Sequence, residues 1–155
     1  MARPADPTAR EGLVRAARAE FARVGIKGAR VEDITHACQL SKGSFYLHFE
    51  SKEALFGEQV ERVGARLATL LESRERELAE FFEQHGGLSA RDIQERSPRH
   101  EKLLQLEAKF DRIVLQVLWE ERDIVDVMMR GSQGTLFATA IWDMADAEVQ
   151  RISDN

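Results

Sequence analysis

Cysteine is almost missing from this chain. Cys38 is the single one in 155 residues, which excludes an internal disulfide framework and any zinc site built from several thiolates. Proline is scarce too, with Pro4 and Pro7 at the start and Pro98 far along the chain. No apolar run approaches the ~18 uninterrupted residues of a membrane span, and no apolar block at the N-terminus suggests a signal peptide. A cytoplasmic protein with no membrane association is the simplest expectation. There is no alternating strand pattern, internal repeat or low-complexity tract. Catalytic signatures are missing as well: no His-Glu-x-x-His, no phosphate-binding Gly-Lys-Ser/Thr loop and no Gly-x-Ser-x-Gly elbow. Gly131-Ser-Gln-Gly134 is too short and unspecific for a nucleotide loop. No cofactor, no metal and no enzymatic activity are expected.

What is present is a globular composition, 43% apolar and 32% charged. The net charge of −5 hides an asymmetry. Residues 1–52 carry nine Lys/Arg against six Asp/Glu, net +3, whereas residues 53–155 carry thirteen against twenty-one, net −8. A basic segment suits attraction to phosphate, although +3 on fifty residues is weak alone. Two domains are expected, 1–52 and 53–155.

Helical periodicity runs through most of the chain. Met1 to Pro7 reads as a mobile arm, in which Arg3, with Arg10 just beyond it, either touches DNA or is simply solvated. Thr8 to Glu11 has capping-box spacing, Leu13, Val14, Ala17 and Phe21 make one apolar face, and Gly25 is a plausible C-cap. Ser51 caps a fourth helix, whose stripe from Val60 through Leu67, Leu71 and Leu78 to Phe82 lasts until His85-Gly-Gly87. Ser89 to Arg96 fits one or two turns. Ser97-Pro98 restarts a helix, proline being suited to the first helical position; Leu103, Phe110, Val117 and their neighbours continue it to Met129. A last helix is expected from Thr135 to Ile152. The fold class is therefore all-α.

The informative stretch is Val31 to Lys52. Val31, Ile34 and Cys38 make one helical stripe, and Gln39-Leu40 forms a break. Ser41 is a natural N-cap, since its hydroxyl can accept an orphan N–H of the next turn. Phe45 and Phe49, four apart, share a buried face and turn Lys42, Ser44, Tyr46 and His48 outward. Small and polar residues at a helix start, followed by an outward Tyr and His, suit a helix entering a DNA major groove.

The run Ser-Lys-Gly-Ser-Phe-Tyr-x-His-Phe-x-Ser-Lys-Glu-Ala-Leu, from Ser41 to Leu55, resembles the recognition-helix signature of TetR-family transcriptional regulators. Leu13 to Phe21 followed by Gly25 is similar to that family's first helix and its stop. The resemblance covers roughly residues 8–56. It implies a three-helix, helix-turn-helix DNA-binding domain followed by a helical effector-binding and dimerisation domain. By that resemblance Lys42, Gly43, Ser44 and Tyr46 approach bases or adjacent backbone, while Ser41, His48 and Lys52 join them at phosphate. Two positions depart from the pattern. Arg30 stands where the family usually has a capping Ser or Thr, and can itself reach phosphate. Gln39 stands where the family usually has Gly; a left-handed Gln there carries strain on the order of 1 kcal/mol.

The resemblance further implies a repressor, homodimeric when full length, released from a palindromic double-stranded operator by a small-molecule effector. Phe110, Trp119, Met128, Phe137 and Trp142 are the candidate effector-pocket residues, with Met144 beside them; ordinary core is the competing account. Asp111, Glu120, Glu121, Asp123 and Asp126 suit either a cationic effector or a solvated acidic face. Cys38 is expected to pack as a small apolar group, and His36 to lie at the surface. The family's last two helices would begin near Asn155, so either the chain is truncated or its dimer uses another surface. A helical protein-interaction module without sequence-specific DNA binding is the alternative function.

Overall fold

The computed structural model describes residues 7–139 and, beyond these, 142, 143, 146, 149 and 150. Every regular element among the described residues is helical: α1 Pro7–Gly28, α2 Val31–Ala37, α3 Lys42–Tyr46, α4 Lys52–His85, α5 Ala90–Gln94, α6 Pro98–Glu120, α7 Arg122–Asp126, and a π-helical turn Val127–Gly131. The described residues divide into two compact units. One joins residues up to Arg62 with those from Glu121 onward, and the other is Val63–Glu120. This differs from the boundary expected after Lys52. Leu55 and Phe56, in the first turns of α4, are fully buried with the helix-turn-helix, and Phe56 meets Phe21 edge to face at 5.5 Å. The start of α4 thus belongs to the first core.

In the first unit, Leu13, Ala17 and Phe21 on the inner stripe of α1 are buried, as are Ile34, Phe45 and Phe49, and α1 packs on α2. Aromatic side chains of this size stabilise by about 2–3 kcal/mol each when removed from water. Pro7 takes the first helical position of α1, so Thr8 lies inside the first turn instead of capping it. Gly25, at φ 72 and ψ 171, breaks the helix within its last turn. Ile124, Val127 and Met128 complete this core from the chain's later part.

The second unit is an antiparallel pairing of α4 and α6 around Val63, Phe81, Phe110 and Val117. Ion pairs on its outside fix the register: Arg66 with Glu120 at 2.7 Å, Arg74 with Glu107 at 2.7 Å and Glu77 with Lys109 at 2.6 Å. Gly86, at φ 68, ends α4 as expected. The Ser97 hydroxyl accepts the His100 amide at 3.2 Å and caps α6. Between these helices α5 carries a capping box formed by Ser89 and Asp92.

Two helix limits differ from the sequence expectation. Periodicity carried α6 on to Met129, but it stops at Glu120, because Glu121 leaves helical geometry (φ −102, ψ 17) and turns its carboxylate inward. Thr135 to Thr139 are turns, with helical backbone at Trp142 and Asp143, whose amides reach the Thr139 carbonyl at 2.8 and 2.9 Å. Arg3, Met144 and Ile152 lie outside the described residues.

Candidate nucleic-acid interface

α2, the turn and α3 are built almost entirely by local hydrogen bonds. Arg30 occupies the N-cap of α2 in extended geometry and offers no side-chain cap. Glu32 and Asp33 in the first turn supply the charge that a helix start favours. At the other end, the Gln39 amide donates to His36 at 3.1 Å and the Leu40 amide to Thr35 at 2.9 Å. This is a Schellman closure with Gln39 in the left-handed position, at φ 57. The turn therefore forms without glycine. The Cys38 thiol donates to the Ile34 carbonyl at 3.3 Å and is half-buried.

Ser41 caps α3, its hydroxyl accepting the Ser44 amide at 3.1 Å. Phe45 and Phe49 are buried, with ring centres 5.6 Å apart. Lys42, Gly43 and Tyr46 are exposed, Tyr46 at 52%. Ser44 and His48 are only half exposed, because α3 ends at Tyr46 and His48 falls in the turn that follows, beside Phe49. Leu47, not singled out in the sequence, is 66% exposed next to Tyr46.

Arg30, Lys42, Tyr46 and Lys52 line one open groove of about 260 Å³, with Glu32 and Glu53 on its rim. Residues from the start of α2, from α3 and from the start of α4 thus share one face. Lys52 does two things there. Its ammonium donates to the Ala29 carbonyl at 2.6 Å and the Lys27 carbonyl at 3.3 Å, closing the α1–α2 connection, and its side chain is 19% exposed. Lys42 pairs with Glu32 at 2.6 Å. Arg10 lies over the Phe49 ring, 4.9 Å from its centre, and pairs with Glu58, so it belongs to the packing of α1.

Gly43 is informative for what does not surround it. Its φ is not positive, and an added Cβ would meet only the Ser41 hydroxyl, at an ordinary 3.7 Å. The fold itself does not demand glycine at this position.

The five effector-pocket candidates are not gathered in one place within either unit. Phe110 and Trp119 belong to the second unit, Phe110 in its core and Trp119 70% exposed. Met128, Phe137 and Trp142 belong to the first. Met128 is core, Phe137 packs on Phe56 at 5.0 Å, and Trp142 is 67% exposed. The second unit instead holds an open groove of about 360 Å³ between α4 and α6, lined by Phe81, His85, Lys102 and Lys109 among others. The acidic residues near Glu121 divide, with Glu120 at the surface and Glu121 turned inward. Glu121 is 5% exposed and takes Arg18 at 2.9 Å and Arg62 at 2.8 Å. Asp123 accepts from the Arg18 Nε at 2.7 Å, Glu120 pairs with Arg66, and Asp126 with Arg130. The pairings of Arg18 and Arg62 were not legible in the sequence, since these arginines stand more than fifty positions from their acids.

Two helices joined by a closed turn, the second offering a capped, polar outer face, define a helix-turn-helix domain. Residues 13–58 match the family described as bacterial regulatory proteins, tetR family, and the N-terminal domain of this chain is of that family. The chain is similar to the HTH-type transcriptional regulator YdgC of Bacillus subtilis, 34% identical over 118 residues, which is 76% of this chain and 51% of that protein. It is also similar to the HTH-type transcriptional repressor DhaR of Mycobacterium sp., 53% identical over 51 residues, covering 33% of this chain and 25% of DhaR. The HTH-type transcriptional regulator UidR of Escherichia coli is 37% identical over 84 residues, 54% of this chain and 37% of UidR. The chain spans about half the length of the Bacillus relative and less of the others. No solved structure gives a significant match.

Proposed function

We propose that this protein is a DNA-binding transcriptional regulator that places α3 in the major groove of a double-stranded operator. The observation that carries the reading is the division of α3. Phe45 and Phe49 are committed to the core, while Lys42, Gly43 and Tyr46 are turned outward, Lys42 and Tyr46 on a groove shared with Arg30 and Lys52. Lys42 and Arg30 supply phosphate contacts, Tyr46 and His48 hydrogen-bond the backbone, and Ser41 and Ser44 stand where hydroxyls reach backbone or bases. Lys52 contributes field more than a direct bond, since its ammonium is already engaged.

As a homodimer, the protein would present two α3 helices to successive major grooves, about 34–36 Å apart, which requires a palindromic operator. Repression is in keeping with DhaR, named a transcriptional repressor, and release by a small-molecule effector is the control we propose for this protein. Such release needs only a differential affinity of a few kcal/mol between two shapes. Duplex binding is the test. DNA from around the coding gene should bind with an affinity that falls steeply with salt, and Tyr46→Phe should weaken it without altering the melting temperature, because the Tyr46 hydroxyl has no hydrogen bond among the described residues. Salt-insensitive binding, or none to any duplex, would turn the reading toward a protein-interaction module.

A further inference from the structure

Glu32 sits in the first turn of α2, and its carboxylate takes the Lys42 ammonium at 2.6 Å across ten residues of chain. Both side chains are more than half exposed, at 54% and 53%. Lys42 is thereby held by an acid on the rim of the groove that Arg30, Tyr46 and Lys52 also line. Hydrogen bonding and charge from Lys42 hold the Glu32 carboxyl below the usual carboxylate range, and Glu32 in turn raises Lys42. Each keeps the other ionised.

Seating α3 does not need this carboxylate, and the start of α2, which it also suits, has Asp33 as well. Ser41 caps α3, and Phe45 and Phe49 anchor its inner side; an exposed ion pair adds little to stability. Nor does negative charge help a surface approach a polyanion. Its placement makes sense as opposition.

We infer that Glu32 is a built-in competitor for phosphate at Lys42, holding down the protein's sequence-independent affinity for duplex DNA. The inference rests on α3 being the DNA-facing helix, as proposed above. On a duplex, the Lys42 ammonium exchanges the Glu32 carboxylate for a phosphate oxygen. The freed carboxylate then takes up a cation from solution, which offsets the one that the phosphate releases. Lys42 therefore adds less to affinity and to its salt dependence than an unpaired lysine would.

The test is equilibrium binding of the whole chain to a mixed-sequence duplex of about 30 base pairs, close to three helical turns, between about 50 and 200 mM KCl. Glu32→Gln should bind about two- to five-fold tighter at low salt, the worth of an exposed ion pair. The plot of log affinity against log salt should steepen by about one. In a Lys42→Gln background the same replacement should leave the slope unchanged and the affinity nearly so. Equal effects in both backgrounds, or weaker binding by Glu32→Gln, would overturn the inference while leaving the DNA reading intact. If neither the wild type nor Glu32→Gln binds duplex at the lowest salt, the DNA reading falls and this inference with it. Binding by Glu32→Gln alone would support both.

Discussion

Gly25 and Gly131 meet backbone to backbone. A Cβ built on Gly25 would lie 2.8 Å from the Gly131 carbonyl oxygen, and one on Gly131 would lie 3.2 Å from the Gly25 Cα. This is where the π-helical turn seats against the break in α1; a side chain at Gly25 would force the two backbones apart, and one at Gly131 would press on Gly25 by a few tenths of an ångström. Gly25 has a second constraint, since φ 72 with ψ 171 is a conformation essentially restricted to glycine. Gly25→Ala is expected to destabilise the fold by about 2–4 kcal/mol, combining backbone strain with overpacking. Gly131→Ala, at ordinary φ, should lose about 1–3 kcal/mol. Urea denaturation of both variants checks the order; an effect larger for Gly131 than for Gly25 would contradict it.

Gln39 offers the opposite case. It is exposed and holds φ 57 at the end of α2 with no side chain or ligand forcing it there among the described residues. Gln39→Gly should stabilise the protein by up to about 1 kcal/mol, the strain of a left-handed non-glycine residue less the extra entropy of the unfolded chain. Thermal melting decides the sign. A lowered melting temperature would mean that the Gln39 side chain contributes more than its backbone costs.

These two positions show what the sequence could and could not convey. Much that is local was readable, though not the start of α1, where Thr8 falls inside the first turn. The Ser41 cap, the buried Phe45–Phe49 pair, the left-handed Gln39, the stop at Gly86 and the restart at Ser97-Pro98 each depend on residues within a few positions of one another. Periodicity failed at Glu121, where Leu118, Val125 and Met129 continue the apolar spacing but a distant pair of arginines pulls the chain out of the helix. The compact units part beyond Lys52 for the same reason. Lys52 marks where a helix begins, yet Leu55 and Phe56 are buried with Phe21, and the first core also recruits Ile124 and Met128 from about seventy residues further on. Contacts across such distances leave no periodic trace. On the proposed interface, the pairing of Lys42 with Glu32 was likewise invisible, because it depends on the angle between α2 and α3.

Glu121 gathers Arg18 from α1 and Arg62 from α4 on one carboxylate that is 6% exposed. Neutralising it would leave Arg18, itself 18% exposed, with Asp123 alone. Glu121→Gln should destabilise the protein by about 1–3 kcal/mol, less than a fully buried pair because Arg62 is half exposed. Asp123 adds a pH dependence. Burial pushes its carboxyl up, but the hydrogen bond and charge of Arg18 outweigh this and hold it below its ordinary value. The folded state therefore binds this proton less readily than the unfolded chain. The resulting stability is complete above the unfolded carboxylate value of about 4 and is lost as pH falls through the lowered folded value. Denaturation midpoints measured from neutral to acid pH should fall across that window. In Asp123→Asn the acid-side fall should be shallower; an unchanged profile would show that Asp123 does not couple to folding.

Gly43 separates stability from binding. It lies in the first turn of α3, at an ordinary helical conformation, with room for a methyl group against the Ser41 hydroxyl. Alanine loses less backbone entropy on folding than glycine, so Gly43→Ala should stabilise the protein by about 0.5–1 kcal/mol. The same methyl projects from the exposed outer side of α3, where the proposed interface requires the backbone to come close to a base edge or phosphate. Duplex affinity should therefore fall, by at least about ten-fold if one close contact is forced open. Melting temperature and DNA affinity moving in opposite directions is an outcome that a merely structural glycine would not produce. A glycine needed by the fold would lower both, and one of no consequence would raise stability while leaving binding untouched. Thermal melting and fluorescence anisotropy on the same preparation distinguish the three.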